Sequence, residues 1–255
     1  MNVLAAEWVK ARSVRSSWLL VGLSLGAVPL AAAIAWAAIG MYDAASPPMR
    51  RTARIAELEE VVLIVPQLCM GVMGVLAITS EYATGLIRTS LALVPRRWPV
   101  LMAKSAVVGG LGLVVGPVVV FVTYAVTAAM LAGRFPVASF GERLSTLVAS
   151  AVTVAVFALL GLGLGALLRS AAAAIAVLVG LVYVIPIVVG NLPEPWSEPL
   201  GSVMIGALPR EIAGADLTSS VYGALLPPPV AGVVLVLYAV VPLAAGLAAV
   251  HHRDA

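Results

Sequence analysis

Thr79-Ser-Glu-Tyr-Ala-Thr-Gly-Leu-Ile-Arg-Thr-Ser-Leu-Ala-Leu-Val-Pro-Arg-Arg-Trp-Pro-Val-Leu-Met-Ala-Lys104 joins two long apolar runs, so it reads as a compact connection at a membrane surface. Ser80 is the expected N-cap of a short helix, and Glu81 places a negative charge where the helix dipole favours it. Pro95 ends that helix, because the residue before a proline is pushed out of the α region. On a helical wheel Tyr82, Leu86, Ile87, Leu91, Leu93 and Val94 fill one half, with Ser90 as the polar exception. Thr84, Gly85, Arg88, Thr89 and Ala92 fill the other. The pattern predicts a helix over 81–93 lying in or near the interface. An ordinary amphipathic loop helix fits the same pattern.

Outward from this stretch, composition sets the class. With 62% hydrophobic residues, 11% charged residues and a mean hydropathy of +1.09, the chain is an integral membrane protein. Its 255 residues hold about six helices at roughly 20 residues per crossing. The expected spans are 18–40, 61–79, 105–132, 144–168, 171–190 and 230–249, with no room for a soluble domain. The first apolar run, Trp18 to Gly40, exceeds the roughly 7–15 residues of a signal peptide core and is read as a transmembrane helix. The single Cys69 lies inside an apolar run and is read as a packing residue.

Charge gives the orientation. With the N-terminus inside, the inner segments hold nine of the fifteen basic residues against Glu7, Glu81 and Asp254, a balance of +6. The outer segments hold six basic residues against nine acids, a balance of −3. The excess of Lys and Arg on one side predicts cytoplasmic termini in a bacterial inner membrane. Residues 1–17 form an expected interfacial helix: Leu4, Trp8, Ala11, Val14 and Trp18 recur at helical spacing, with Lys10, Arg12 and Arg15 off that line. A positive flank that only sets orientation fits as well.

Two outer segments stand apart. The 41–60 loop is charged and is expected to extend the second span as a helix. The 191–229 segment carries seven prolines yet stays apolar; it reads as one or two short helices folded back against the outer leaflet, with Trp196 and Met204 at an outer gate. Gly161-Leu-Gly-Leu-Gly165 contains one small-xxx-small step, which permits close helix approach. Pro117 and Pro186 are expected to kink their helices.

Missing chemistry narrows the function. Neither lysine, Lys10 nor Lys104, follows a glycine, so a phosphate-binding loop of the Gly-Lys-Ser/Thr kind is excluded. Both histidines lie at the C-terminal end, at His251 and His252, which excludes a histidine-based nucleophile pair within the membrane. No set of His, Cys and carboxylates has metal-ligand spacing. The expected spans carry no ionisable residue in their interiors, unlike most ion-coupled transporters. Energy for uphill transport would therefore come from a partner at the cytoplasmic face. Scattered polar residues (Thr123, Tyr124, Thr127 and Tyr183 among them) would suit a pathway for an amphipathic cargo.

Glu81-Tyr82-x-x-Gly85-x-Ile87-Arg88-Thr89-x-Leu91, followed by Pro95-x-Arg97 and Lys104, resembles the segment after the second span of ABC-2 type permeases, the membrane subunits of ABC exporters. Glu7-Trp8-x-Lys10-x-Arg12 up to Trp18 is similar to that family's amphipathic elbow helix. The resemblance spans essentially the whole chain. It implies an all-α fold with six transmembrane helices, an elbow helix, a cytoplasmic coupling helix between spans two and three, and short re-entrant outer helices between spans five and six. It further implies a non-catalytic subunit that binds no cofactor, pairing with a second permease copy and with two ATP-binding subunits that hold ATP and Mg. Glu81, Tyr82, Gly85, Arg88, Thr89, Pro95 and Arg97 would then be the coupling residues. No nucleic acid partner is expected, membrane lipid is, and the residue usage fits a GC-rich, actinobacterial source. Drugs, antibiotics, peptides or lipids are the cargo implied. A secondary transporter or channel, or a non-transporting membrane scaffold, stands as the alternative.

Overall fold

The computed structural model describes residues 3–84, 98–193, 195–214 and 226–252. Among them there are helices, turns and coil but no strand. Six helical segments are long and apolar enough to cross a membrane: Arg15–Ala44, Leu58–Thr84, Trp98–Leu131, Phe140–Leu168, Ala171–Gly190 and Pro228–Ala249. A separate helix, Val3–Ser13, precedes the first. The chain is thus an all-α protein with six candidate membrane spans.

Local chemistry explains the joints. Val14 adopts an extended backbone between the N-terminal helix and the first span, and Trp18 Nε1 donates 2.8 Å to the Arg12 carbonyl across that corner. The fourth span opens on a capping box: Ser139 Oγ accepts from the Glu142 amide, and Glu142 Oε2 accepts from the Ser139 amide. It ends on Arg169 in the left-handed region at φ 54°, and Ser170 caps the fifth span at once by accepting from the Ala173 amide. The fifth span contains a π-helical turn, Gly180–Val184, directly before Pro186. Proline cannot donate to the carbonyl four residues back, and a widened turn accommodates the lost bond.

Three expectations change. The 41–60 loop is not a continuous helix: Pro47–Thr52 is helical, 53–57 is not, and the second span begins at Leu58. Ser80 and Glu81 are not at a helix start. They lie near the end of Ile64–Thr84, where Ser80 Oγ bonds the Leu76 carbonyl within the same helix. The third span starts at Trp98, with Pro99 tolerated in its first turn. The proposed coupling helix from Gly85 onward lies outside the described residues.

The fourth span is the axis of the bundle. It packs against the second, third and sixth spans, and its glycines set the spacing. A Cβ on Gly161 would sit 2.0 Å from the Gly71 carbonyl oxygen of the second span, and one on Gly163 would sit 2.4 Å from the Pro242 carbonyl carbon of the sixth. The Gly161–Gly165 step closes on the second span, where a Cβ on Gly165 would sit 3.0 Å from the Val75 carbonyl oxygen, while Gly163 between them closes on the sixth. Phe157, wholly buried in this helix, shares a cluster with Ile205 and Leu208 of the segment between spans five and six. That segment forms two short helices, Ser197–Ser202 and Leu208–Ile212. The second packs on spans four and six.

Candidate functional site

The helix Val3–Ser13 presents a charged face to the bundle. Its apolar line points away: Leu4 and Trp8 are exposed. The buried position is Glu7. Burying a carboxylate is costly unless it is paired and hydrogen-bonded, and here it is both. Lys104 Nζ, from the second turn of the third span, donates 2.7 Å to Glu7 Oε2, 2.7 Å to Glu81 Oε1 and 3.0 Å to the Ala77 carbonyl. Lys10 Nζ donates 2.8 Å to Glu7 Oε1 and 2.8 Å to Glu81 Oε1. Two ammoniums and two carboxylates thus form one network that joins the N-terminal helix, the end of the second span and the start of the third.

The Lys104 side chain is 3% exposed and both carboxylate side chains are 7% exposed, whereas Lys10 reaches water at 46%. Lys104 meets three acceptors, which uses all the donors an ammonium has. Burial works against the Lys10 charge, but hydrogen bonds and charge attraction from Glu7 and Glu81 outweigh it, so its pKa is raised. One acceptor is left over: Glu81 Oε2 is buried with no hydrogen-bond partner among the described residues.

Tyr82 carries the network to a fourth element. The Arg169 guanidinium stands 5.2 Å over its ring, a cation–π geometry. Glu81 and Tyr82, adjacent in sequence, therefore face different neighbours: Glu81 meets the N-terminal helix and third span, Tyr82 the corner between spans four and five. Gly85, Arg88, Thr89, Pro95 and Arg97 lie outside the described residues, but the segment holding them runs between two points fastened together, Glu81 and Lys104.

The other expected residues are scattered. Lys10 joins the charge network, while Arg12, Arg15 and Trp18 stand exposed around the corner at Val14. Thr123 and Thr127 are buried, Thr127 Oγ1 donating to the Thr123 carbonyl of its own helix. Tyr124 donates its hydroxyl to the Ala138 carbonyl. A cavity of about 50 Å³ touches Tyr124 and Thr127. Trp196 is 62% exposed and Met204 is half-buried. Ile205 and Leu208 take the buried positions instead.

Sequence reasoning quoted Glu7 and Lys104 within the family resemblance but gave them no role, and it passed over Gln67. The signal for Lys104 was compositional: the chain has only two lysines. Gln67 had none, being one neutral polar residue in an apolar run. Its Nε2 donates 2.7 Å to Thr153 Oγ1 and joins the second span to the fourth. Among the described residues no group of three or more His, Cys, Asp or Glu could hold a metal.

Comparison with curated proteins finds no match. The family model described as ABC-2 family transporter protein covers residues 1–255, the whole sequence. A six-span helical chain whose N-terminal helix is fastened by charge to spans two and three is consistent with that match, and the protein belongs to the ABC-2 transporter family.

Proposed function

We propose that this chain is the membrane-spanning permease subunit of an ATP-driven exporter in the bacterial inner membrane, with the N-terminal helix and both termini on the cytoplasmic side. ATP and Mg are held by a separate ATP-binding subunit, present in two copies, and a second permease completes the transport unit. An amphipathic drug, antibiotic, peptide or lipid is the cargo. Family membership supports the permease role, and the one-sided Lys and Arg distribution supports the orientation.

The observation that carries the mechanism is the Glu81–Lys104 contact at 2.7 Å. It clamps the two ends of the 85–97 segment and ties them to the N-terminal helix through Glu7 and Lys10. A push on that segment by the ATP-binding subunit reaches four elements at once instead of dissipating in a loop. Arg88, always charged and offering a donor fork suited to a carboxylate, is the residue proposed to meet the partner. Arg88→Ala should leave the chain at its normal level in the membrane, since insertion follows the apolar spans, and should weaken ATPase binding and transport. Leu93→Ala is the control on the apolar side. Normal transport by Arg88→Ala, or its loss only through absence from the membrane, defeats this assignment.

A further inference from the structure

A cavity of about 210 Å³ lies between spans two, four and five, beneath the short helix Leu208–Ile212. Glu60 and Arg210 stand at its rim, Arg210 Nε donating 2.6 Å to Glu60 Oε2. Gln67 and Ser150 line it at similar depth, about 13 and 15 Å along their spans from Leu58 and Phe140. Phe157, wholly buried, closes the far end. Beyond it Ala171–Val179, the first half of span five, packs on spans two and four. The space is thus an inlet, blind at the end away from the ion pair. Its amide is oriented by its neighbours. Thr153 Oγ1 gives its hydrogen to the Ser150 carbonyl at 2.7 Å, so it accepts from Gln67 Nε2. Gln67 Oε1 is left on the other side of the amide. It receives no hydrogen bond from the described residues, yet it is not sealed away from the space that its side chain lines. In hydrocarbon such an acceptor is costly and calls for a donor.

We propose that this inlet fills with water from the outer side of the membrane, with the Glu60–Arg210 pair as its latch. Water donates to Gln67 Oε1, and a file of waters runs from there to the ion pair. The volume suits about seven waters at roughly 30 Å³ each. A lipid chain of the same size would leave the amide oxygen without a donor. Glu60 belongs to span two and Arg210 to the segment between spans five and six, so parting them separates the cover from the wall. The Gln67–Thr153 bond, which joins spans two and four, then stands at the edge of solvent. Naming the outer side rests on the orientation proposed above; the inlet itself does not.

The test is cysteine modification of the full chain carrying Cys69→Ser, in intact bacterial cells and in inverted membrane vesicles. The reagent is a membrane-impermeant trimethylammonium methanethiosulfonate, which attacks a thiolate and therefore needs water at the thiol. Val182→Cys, on the cavity wall about 12 Å along span five from Gly190, should react in intact cells. Val184→Cys, shallower on the same span but exposed outside the cavity, should not, and neither should Val148→Cys at similar depth on span four. Ile64→Cys, half-buried on the facing wall, repeats the test if Val182→Cys does not fold. Arg210→Met opens the latch while Arg143 Nη2 still holds Glu60 at 2.9 Å. It should quicken reaction at the wall cysteine about fivefold, the population shift of a partly exposed ion pair. No reaction at either wall cysteine, as for a cavity filled by a lipid chain, overturns the proposal. Equal reaction at wall and control positions overturns it too. A rate unchanged by Arg210→Met overturns the latch. Reaction at the wall in inverted vesicles alone upholds the inlet and overturns the orientation.

Discussion

The two ends of the bundle are each fastened by charge, but by different devices. At the N-terminal-helix end two lysines share two carboxylates, drawn from three elements far apart in sequence. At the opposite end Arg143, in the first turn of the fourth span, forks onto Glu57 at 3.2 Å, Glu59 at 2.8 Å and Glu60 at 2.9 Å. Arg210 takes the other oxygen of Glu60 at 2.6 Å. The first device is charge-balanced and deeply buried around Lys104. The second sets two guanidiniums against three carboxylates and is partly open to water. An ammonium is a point charge whose every donor counts, whereas a planar fork grips several acceptors from one side. The lysine end should therefore fail all at once and the arginine end by degrees.

The largest effect is expected where one buried ammonium holds two carboxylates. Lys104→Met should destabilise the protein by about 3–5 kcal/mol, as when one member of a buried ion pair is removed. The measurement is the thermal transition in detergent together with the amount of folded protein in the membrane. A loss no greater than that of a surface substitution would erase the contrast between the two ends.

Next comes a pH effect expected at the arginine end. Glu211, beside Arg210, is buried, and neither carboxylate oxygen has a well-formed hydrogen bond among the described residues, the Leu226 amide being a weak partner. Burial, opposed by the Leu226 backbone amide, pushes its pKa from 4.5 up to about 7. Between these values the folded chain keeps a proton that the unfolded chain has released. Stability from this group is therefore present below pH 4.5 and is lost as pH rises through 7, by about 3 kcal/mol in total. Glu211→Gln should flatten the melting temperature of the protein across pH 5–8. A slope unchanged by the substitution would show that other groups set it.

Arg143→Lys keeps the charge and removes the fork. The expected cost is about 1.5–3 kcal/mol, one or two charge-assisted bonds, read in the same melting assay and most clearly in a double-mutant cycle with Glu59→Gln. The smallest effect belongs to Lys10→Met. Its ammonium is 46% exposed, Lys104 still holds both carboxylates, and the change should cost about 0.2–1 kcal/mol. A loss as large as that of Lys104→Met would mean that the network has no single centre.

The six spans were legible because a run of about 20 apolar residues has few other stable fates. The N-terminal helix was legible from its spacing, but which side faces inward was not. Interfacial reasoning turns Leu4 and Trp8 toward the lipid, where they are exposed, but it does not say which residue meets the bundle. Glu7 turns inward because Lys104, 97 residues away, offers it a partner. Ser80-Glu81 imitates a helix start for a similar reason. Cap signals are local, and the acid belongs to the end of a helix because its partners come from positions 10 and 104. The glycines at 161–165 were visible as a pattern, but that Gly161 and Gly165 meet span two while Gly163 meets span six depends on how those spans pack.

The Gly161 and Gly163 contacts have a geometric consequence. A ring of helices around an open axis would make a tube; here the fourth span occupies that axis, drawn so close to its neighbours that a single added methyl group would collide with their backbones. The protein is built like a cable with a solid strand at its centre. The open surface lies along the flank instead, where the first, fifth and sixth spans leave most of their area uncovered by the rest of the chain.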